Sequence, residues 1–292
     1  MPNRLTIVIP AFDEVESLMM FFPEVVNHCE NKGYNLIIVN DGSSDDTLEI
    51  LKNFKKKLSF NFIIISHKVN RGYGGAIKSG IEACNSEFVI TIDADGQHFL
   101  EDVDSLFEKI QETDADLIIG SRKGLSSASI FRGVGKRIIR MVAKLLMKLS
   151  VYDINSGMKI YNTKLVKQYL KITPDTMSFS DIITLTFVNN RHLVIEEPIR
   201  IKERLKGTST IGVRTAFETV MEIINIIILF NPARVFLPIS AFFFVFGVIW
   251  GANFFFQGKG ISIGASTLIL TGLIIFLLGL IAEQLSAVRK NQ

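Results

Sequence analysis

Short apolar runs alternate with longer amphipathic stretches along the first 120 residues of the chain. The apolar runs are rich in Ile, Val and Phe and predict five buried strands, at residues 5–9, 36–40, 60–66, 88–93 and 116–120. The stretches between them predict helices at residues 15–30, 47–57, 74–83 and 100–113. Strands that alternate with helices indicate an α/β fold, in which a mostly parallel sheet carries helices on both faces. Ligands of such folds bind beyond the carboxyl ends of the strands.

The end of the chain has a different pattern. Residues 235–256 and 261–282 are two runs of 22 residues without a charged side chain. As helices, each is long enough to cross a hydrocarbon core of about 30 Å, and the short polar link between them makes the pair a hairpin. A pair of buried core helices is the alternative, but residues 242–246 and 274–278 are apolar all round. We therefore expect a transmembrane hairpin in the lipid bilayer.

Charges beside the hairpin predict its orientation. Arg234 precedes the first run, and Arg289 and Lys290 follow the second, whereas the link carries only Lys259. Basic residues favour the cytoplasmic side of a membrane, so the large domain is expected in the cytoplasm. The two cysteines are too few for a disulfide scaffold and agree with a reducing compartment.

Two further segments are predicted to be amphipathic helices at the membrane interface. Residues 130–149 form a basic one, which either lies on an anionic membrane surface or packs on its own domain. Residues 213–230 form a juxtamembrane helix that ends before Pro232. The expected organisation is a catalytic domain at 1–212, a juxtamembrane segment at 213–232 and the hairpin at 233–292. The net charge of +3 is too small to argue for a nucleic-acid partner.

Polar clusters follow the predicted strands at their carboxyl ends. The most informative is the sequence Asp93-Ala94-Asp95-Gly96-Gln97 after the fourth strand. Paired carboxylates are hard oxygen ligands for Mg²⁺ or Mn²⁺, and Gln97 adds a neutral oxygen. A solvated turn also produces two nearby acids, but a buried strand delivers these two to a fixed point. We therefore expect Asp93, Asp95 and Gln97 to bind a divalent metal, with a diphosphate completing the shell.

The other clusters are more ambiguous. Asp41, after the second strand, is placed to hold a base or a ribose, and a cap on the next helix is the alternative role. We expect Asp41 to bind a ligand and Ser44 or Asp45 to cap. The acids after the first strand have the same ambiguity, because acids are favoured in the first turn of a helix. The glycines within residues 72–75 let the backbone approach a ligand closely.

Taken in order, these clusters resemble the inverting GT-A glycosyltransferases of family 2, in the branch of dolichyl-phosphate mannose synthases and polyprenyl-phosphate glucosyltransferases. The matching segments lie between residues 4 and 212, at 9–14, 39–45, 70–76, 93–98, 120–122, 153–159 and 204–209. The resemblance implies a GT-A, Rossmann-like fold, a nucleotide-sugar donor and Mg²⁺ or Mn²⁺ as cofactor. It also implies transfer of a hexose or N-acetylhexosamine to a polyprenyl or dolichyl phosphate, at the cytoplasmic face of a bacterial or archaeal membrane.

The functional residues of the family carry over onto matching positions. By resemblance, the nucleotide-sugar is held by Pro10, Phe12, Glu14, Val39, Asp41, Asp93, Ala94, Asp95 and Arg204. Arg122 and Arg132 match the cations that hold the acceptor phosphate, and the candidate catalytic residues are Asp95, Arg122 and Asp153. Asp153 is either a general base or the acid that holds Arg122 or Arg132. Because a phosphate acceptor is already an anion, positioning and charge neutralisation are expected to dominate.

Two departures concern the later motifs of the family. Thr210 stands where relatives often carry a lysine, and Asp181 is a loose counterpart of an acid that follows an aromatic residue. A processive polysaccharide synthase is an alternative, but the only tryptophan, Trp250, lies inside a span. A transferase to a glycan or protein hydroxyl is another, and it would need an unambiguous base. The sequence decides neither the sugar nor UDP against GDP, although UDP-glucose or UDP-N-acetylglucosamine is the working hypothesis. Glycines in the hairpin could pack copies of the chain into a homo-oligomer.

Overall fold

The structure is a computed structural model that describes residues 4–123, 151–202, 228, 232–258, 260 and 262–290. These residues fall into two compact units. The first contains residues 4–123 and 151–202, and the second contains the residues from 232 onward. The predicted helices at 130–149 and 213–230 lie outside the described residues, apart from residue 228.

The described part of the first unit is built on a mixed sheet of seven strands. The strands are β1 (Leu5–Ala11), β2 (Asn35–Asn40), β3 (Ile63–Ser66), β4 (Phe88–Thr91), β5 (Leu117–Ser121), β6 (Lys159–Asn162) and β7 (Val194–Pro198). Their order across the sheet is β3-β2-β1-β4-β6-β5-β7. Neighbouring strands are parallel, except that β6 runs antiparallel to both β4 and β5.

Helices cover both faces of this sheet. They are α1 (Val15–Lys32), α2 (Thr47–Lys57), α3 (Tyr73–Ala83), α4 (Leu100–Thr113), α5 (Thr163–Tyr169) and α6 (Phe179–Asn189). On one face, Leu5, Ile7 and Ile9 of β1 join the core that α1 and α4 complete. On the other face, α3 packs so closely that a Cβ atom on Gly80 would overlap the Val8 side chain. The alternating side chains of β1 thus confirm the predicted α/β sheet with helices on both faces.

The local pattern predicts some elements better than others. Helices α2 and α4 have the predicted bounds, whereas β3 begins at Ile63 rather than at residue 60. The pattern does not predict β6, β7, α5 or α6. In β6 and β7, the charged residues Lys159, Glu196 and Glu197 interrupt the apolar runs that mark the other strands. Because β6 is antiparallel to β4, it brings residues 153–158 to the carboxyl end of β4.

The second unit contains two long apolar helices, α7 (Ala233–Phe256) and α8 (Ile263–Lys290). The segments Ala233–Phe256 and Ile263–Val288 are long and apolar enough to cross a membrane. Only 11% of the most apolar window of the first and 17% of that of the second is buried. Helices in the core of a soluble domain are mostly buried, so the alternative of two core helices does not describe this pair.

Glycines bring α7 and α8 together. A Cβ atom on Gly247 would lie 2.9 Å from the Ile269 side chain, and one on Gly272 would lie 2.8 Å from the backbone nitrogen of Phe244. The hydroxyl of Ser240 donates a hydrogen bond to the Gly272 carbonyl across the same interface, at 2.8 Å. Gly247 and Gly272 therefore pack α7 against α8 within one chain, and packing between copies of the chain stays a prediction.

Candidate active site

A cavity of about 440 Å³ opens at the carboxyl ends of β1, β2 and β4. Most residues predicted to bind the donor or the acceptor line it, namely Pro10, Phe12, Glu14, Asp41, Asp93, Ala94, Asp95 and Arg122. Val39 is instead a fully buried residue of β2. Gln97 is not part of the lining, and its amide nitrogen lies 3.4 Å from the Lys202 carbonyl oxygen. Arg132 and Arg204 lie outside the described residues.

Asp93 and Asp95 bring two carboxylates into this cavity. Asp93 accepts a hydrogen bond from the Tyr73 hydroxyl at 2.9 Å and faces Nε2 of the buried His98 at 3.5 Å. Burial raises the pKa of Asp93, but the bonds from His98 and Tyr73 and the charge of Arg122 outweigh burial and lower that pKa below its usual value. Asp93 is therefore an anion at neutral pH, as a metal ligand must be.

Gly157 makes room for the Asp93 carboxylate. A Cβ atom on Gly157 would overlap Oδ2 of Asp93, so a larger residue there would displace the acid. The Gly157 carbonyl accepts a hydrogen bond from Oγ1 of Thr91 at 2.8 Å. This bond ties the segment before β6 to the last residue of β4. The acidic pair and residues 153–157 thus depend on each other for their positions.

Arg122 is held in place by Asp153. Its Nε and Nη2 donate to the two carboxylate oxygens of Asp153 at 2.7 and 2.8 Å, and its backbone N–H donates to the same acid at 2.9 Å. Nη2 also donates to the Asn155 carbonyl at 2.9 Å. Burial raises the pKa of Asp153, but the bonds and charge of Arg122 lower it below its usual value. A carboxylate so held is a poor proton acceptor, so the geometry favours an orienting role over that of a general base.

Lys159, fully buried on β6, joins two segments beside the cavity. Its Nζ donates to the Ile154 carbonyl at 2.7 Å, and to the carbonyl and hydroxyl oxygens of Ser180 at 2.5 and 2.6 Å. The Ser180 hydroxyl gives its own hydrogen to the Ser156 carbonyl, so Nζ supplies all three hydrogens and must be an ammonium. Burial lowers the pKa of Lys159, whereas the charges of Asp181 and Asp153 oppose that shift and favour the ammonium. Lys159 thereby fixes the loop before β6 against the first turn of α6.

Asp41 is buried at the end of β2 and organises the loop after β3. Oδ1 accepts from Nδ1 of His67 at 2.6 Å and from the backbone N–H of Arg71 at 2.9 Å. Oδ2 accepts from the backbone N–H of Gly72 at 2.8 Å. The other ring nitrogen of His67 lies 2.8 Å from Oγ of Ser79. Asp41 therefore reaches the cavity as a rigidly held acceptor.

Other polar groups serve the start of α2. Asp45 accepts the backbone N–H of Thr47, the first residue of α2, at 3.0 Å. The N-cap position itself falls on Asp46, whose side chain makes no capping hydrogen bond, and not on Ser44 or Asp45 as expected. Asp13, which has a left-handed backbone with φ of 52°, accepts the backbone N–H of Ser44 at 2.7 Å. Asp13 and Asp45 thus accept the backbone N–H groups of this turn, and Asp41 faces the cavity instead.

The glycine turn before α3 serves the packing of the chain on itself. Gly72 has φ of +90°, and a Cβ atom there would overlap the Asp175 carbonyl oxygen. Lys78 donates to the Asp175 carboxylate at 2.7 Å. The turn thus seats the segment that carries Met177, which lines the cavity. The close approach that the glycines permit is to this segment of the protein.

Several residues that shape the cavity escape reasoning from the sequence. They are His67, Tyr73, Gly157 and Lys159. Each acts through a contact with a residue distant along the chain, which local patterns do not show. For three of them the sequence does carry a signal, which is their position within a motif. Tyr73 lies in the glycine turn, and Gly157 and Lys159 lie in the motif at 153–159.

The sequence profile of glycosyl transferase family 2 matches residues 6–170, which carry the acidic pair and the Arg122–Asp153 contact. The chain belongs to this family. A second profile, the GtrB C-terminal hairpin, matches residues 231–288, which include α7 and most of α8. The protein is thus a glycosyltransferase, and the family predicted from its strand-end motifs is confirmed.

Relatives of this glycosyltransferase occur in archaea and bacteria. An uncharacterized protein of Methanocaldococcus jannaschii is 26% identical over 76% of this chain and 98% of its own length. The undecaprenyl-phosphate 4-deoxy-4-formamido-L-arabinose transferase of Photorhabdus laumondii is 29% identical over 71% of this chain and 62% of its own. The UDP-N-acetylglucosamine–dolichyl-phosphate N-acetylglucosaminyltransferase of Methanococcus voltae is 29% identical over 55% of this chain and 70% of its own.

Solved structures share the fold of this glycosyltransferase. Glucosyl-3-phosphoglycerate synthase from Mycobacterium tuberculosis, crystallised with Mn²⁺, UDP and phosphoglyceric acid, matches with a TM-score of 0.58 and 17% identity, over 77% of this chain and 78% of its own. S. aureus TarS 1–349 matches with a TM-score of 0.51 and 19% identity, over 77% of this chain and 65% of its own. At these identities the likeness shows the fold alone.

Proposed function

We propose that this glycosyltransferase moves a hexose or N-acetylhexosamine from a UDP- or GDP-linked donor to a polyprenyl or dolichyl phosphate, with inversion at the anomeric carbon. The supporting observation is that one cavity holds an acidic pair, Asp93 and Asp95, together with a guanidinium, Arg122, that Asp153 fixes. The acidic pair suits a metal-bound diphosphate, and the guanidinium suits an anionic acceptor. Helices α7 and α8 are apolar enough to hold the enzyme where a lipid acceptor resides.

The donor set at the acidic pair fits a divalent cation such as Mg²⁺ or Mn²⁺. Asp93 and Asp95 offer hard carboxylate oxygens, and Tyr73 and Gly157 hold Asp93 in position. Within the described ranges, no three His, Cys, Asp or Glu side chains group into a metal site, so Asp93 and Asp95 would supply only part of the shell. The diphosphate of the donor would supply the rest, and the bound metal would neutralise charge on the leaving nucleoside diphosphate. Gln97 stays a predicted ligand.

Arg122 is the proposed holder of the acceptor phosphate. Of its five N–H groups, one on Nε and two on Nη2 meet Asp153 and Asn155, so that among the described residues the N–H groups of Nη1 stay open to a ligand. The side chain is 38% exposed and lines the cavity, so a phosphate can reach it. Because the acceptor is already an anion, the low pKa of Asp153 is no obstacle to transfer. Arg132 and Arg204 stay predicted as further cations.

The relatives support a lipid-phosphate acceptor. The names of the Photorhabdus and Methanococcus proteins specify undecaprenyl phosphate and dolichyl phosphate, respectively. Both lipids carry a phosphate on a long isoprenoid chain. An enzyme that combines a membrane hairpin with a phosphate-binding arginine is suited to this class of acceptor.

Transfer into extractable lipid tests the proposal. The full-length enzyme in detergent is incubated with a short polyprenyl phosphate, Mg²⁺ or Mn²⁺ and a panel of UDP- and GDP-sugars, and the lipid is read by mass. We expect one lipid-phosphate-linked sugar, none after EDTA, and none with Asp95→Asn. Asp114→Asn is the matched control, because Asp114 has φ of 51° in a turn where Asn is equally tolerated. Transfer to a hydroxyl acceptor but not to polyprenyl phosphate would contradict the proposal.

The proposed cytoplasmic location is tested separately at the link between α7 and α8. Lys259→Cys places a thiol in that link, and a membrane-impermeant maleimide is added to intact cells. The native Cys29 and Cys84 are buried and give little background. Labelling from outside is expected, since the link then faces away from the cytoplasm. Labelling only after lysis would reverse the orientation.

A further inference from the structure

We propose that His67 leaves Asp41 a single free acceptor position, so that the donor carries a base with one imide N–H, uracil or thymine, and not guanine. This inference rests on the proposed function, which leaves the donor open between UDP and GDP. It assigns a specificity role to His67, a residue that does not line the cavity. Three features support it. They are the place of Asp41 in the cavity, the groups that already bind its oxygens, and the hydrogen-bonding groups that each base presents.

Asp41 lies at the end of the cavity that suits the nucleoside. It follows β2, whereas the acidic pair that suits the diphosphate follows β4, and β1 lies between those strands. Neighbouring strands are about 4.8 Å apart, which puts the two strand ends roughly 10 Å from each other. A ribose and its phosphates bridge a gap of this order. A nucleotide whose diphosphate lies at Asp93 and Asp95 therefore extends its base toward Asp41.

The acceptor positions of Asp41 are mostly used inside the protein. A carboxylate has about four lone-pair positions, two on each oxygen. His67 and the backbone of Arg71 take both on Oδ1, and the backbone of Gly72 takes one on Oδ2. Counted over the part of the chain that the structure describes, these contacts leave one position on Oδ2. The Asp41 side chain is only 3% exposed, so a ligand reaches that position from the cavity that Asp41 lines.

His67 is seated so that it always donates to Asp41. Its backbone N–H bonds to the Asn40 carbonyl at 2.9 Å, and Nε2 lies 2.8 Å from the Ser79 hydroxyl. Since Nδ1 faces a carboxylate, it carries a hydrogen in the neutral ring as well as in the charged one. Ser79 can donate to Nε2 in the first case and accept from it in the second. Oδ1 of Asp41 thus stays occupied in either form.

The candidate bases present different edges to such a carboxylate. Uracil and thymine present one N–H between two carbonyl oxygens. Guanine presents two adjacent N–H groups, which a carboxylate binds with both of its oxygens. With Oδ1 occupied, Asp41 satisfies only one of them, and the unpaired N–H would weaken binding roughly 10- to 100-fold.

Asn70 adds a second discriminating group in the same cavity. Its Oδ1 accepts the backbone N–H of Gly72 at 2.8 Å, which orients the amide so that its nitrogen is the end left to donate. A donor beside the remaining acceptor of Asp41 complements the N–H and carbonyl of uracil. It offers nothing to the 2-amino group of guanine.

The single free acceptor position of Asp41 can be tested by measuring how tightly the full-length enzyme in detergent binds nucleotides. No lipid acceptor is present in this measurement. Isothermal titration with Mn²⁺ compares UDP, 3-methyl-UDP, GDP and IDP. UDP is expected to bind most tightly, and methylation of N3 to weaken it about 10- to 100-fold. IDP lacks the 2-amino group and is expected to bind more tightly than GDP. Equal affinities for UDP and GDP, or for UDP and 3-methyl-UDP, would overturn the proposal.

His67→Leu tests the residue itself. Leucine fills a similar volume and donates no hydrogen bond, so we expect the ratio of UDP to GDP affinity to shrink about tenfold. His192→Leu is the matched control, because His192 contacts Tyr169 and Asp116 and does not line the cavity. An unchanged ratio in folded His67→Leu would overturn the role of His67. The four nucleotides on the wild type decide the base preference even if this variant does not fold. Failure of lipid transfer with the preference intact would instead contradict the proposed function.

Discussion

Gly157 lies directly against the carboxylate of Asp93, and a Cβ atom on Gly157 would overlap Oδ2 of that acid. On its other oxygen, Asp93 accepts the Tyr73 hydroxyl at 2.9 Å. The Asp93 carboxylate thus has little freedom to move, because Gly157 packs against one of its oxygens and the Tyr73 hydroxyl binds the other. As the proposed metal ligand, Asp93 would need no reorganisation to bind a cation and a diphosphate.

Gly157→Ala is expected to reduce metal-dependent transfer strongly, because the added methyl group displaces the Asp93 carboxylate. A misplacement of about 1 Å at a reacting centre costs on the order of 100-fold in rate. The measurements are kcat/KM for lipid transfer and the Mn²⁺ affinity in the presence of UDP. Gly264→Ala, whose Cβ would meet nothing closer than Oγ of Ser262 at 3.7 Å, is the control that should keep the wild-type rate. A wild-type Mn²⁺ affinity in Gly157→Ala would argue against this account.

Asp153→Asn separates the two roles that the sequence leaves open for Asp153. If Asp153 orients Arg122, the variant loses the charge and one of the two oxygens that fix the guanidinium. The KM for the acceptor should then rise about 10- to 100-fold. Because the pKa of Asp153 lies below its usual value, we expect Asp153 itself to add no acidic limb near neutral pH to the wild-type pH–rate profile. If Asp153 is instead a general base, Asp153→Asn should lower kcat and leave the acceptor KM unchanged. Such a result would restore the general-base reading.

The sequence predicts most of the sheet and little of the contacts within the cavity. Strands β1, β2 and β4 are fully or almost fully buried, so each is a plain apolar run, and Asp41 and Asp93 follow such runs. Strand β6 could not be read in the same way. It carries Lys159, and its place between β4 and β5 depends on pairing between distant segments.

The role of Asp153 shows the same limit. The sequence allowed Asp153 to be a base, or to hold either Arg122 or Arg132, because nothing local says which side chain meets it. The three bonds that Arg122 makes to Asp153 are visible only in three dimensions, and Arg132 lies outside the described residues. The sequence could not show the contact of His67 with Asp41 for a similar reason, since α2 and β3 lie between the two residues along the chain.

Lys159→Met should destabilise the first unit. Methionine keeps the length of the side chain but gives no hydrogen to the Ile154 carbonyl or to the two oxygens of Ser180. Removing one partner of a buried charged network costs about 3–5 kcal/mol, so we expect a lower thermal midpoint for the full-length enzyme in detergent. Lys164→Met, at an exposed position five residues on, is the control and should stay within about 0.5 kcal/mol of wild type. Equal midpoints for the two variants would contradict the network.

Stability should fall in acid partly because of Asp104. Burial raises the pKa of Asp104, but Lys32, Tyr34 and His28 outweigh it and lower that pKa below its usual value. A lowered folded pKa stabilises the protein above the unfolded value of about 3.9, and the contribution is lost as pH falls through the folded pKa. Unfolding midpoints between pH 7 and pH 3 should therefore fall less steeply in Asp104→Asn than in wild type. Glu112→Gln, at an exposed site on the same helix, should follow the wild-type curve.

Gly272→Leu is expected to force α7 and α8 apart. A Cβ atom on Gly272 would lie 2.8 Å from the Phe244 nitrogen and 3.0 Å from the Ser240 carbonyl oxygen, and the Ser240 hydroxyl bonds to the Gly272 carbonyl. Overpacking an interface of this kind costs about 1–3 kcal/mol, and loss of the hydrogen bond adds to it. Trp250 is the only tryptophan and lies on α7, so its fluorescence during thermal unfolding reports on this unit.

Gly264→Leu makes the same substitution on the same helix at a position without a clash. Both variants replace a flexible glycine of α8 with the same apolar side chain, so they change the hydropathy of the chain equally. Only Gly272→Leu meets the facing backbone, and only it should lower the midpoint of the Trp250 transition. If both variants shift that midpoint alike, the effect comes from the helix or the surrounding lipid, and close packing at Gly272 does not hold the hairpin together.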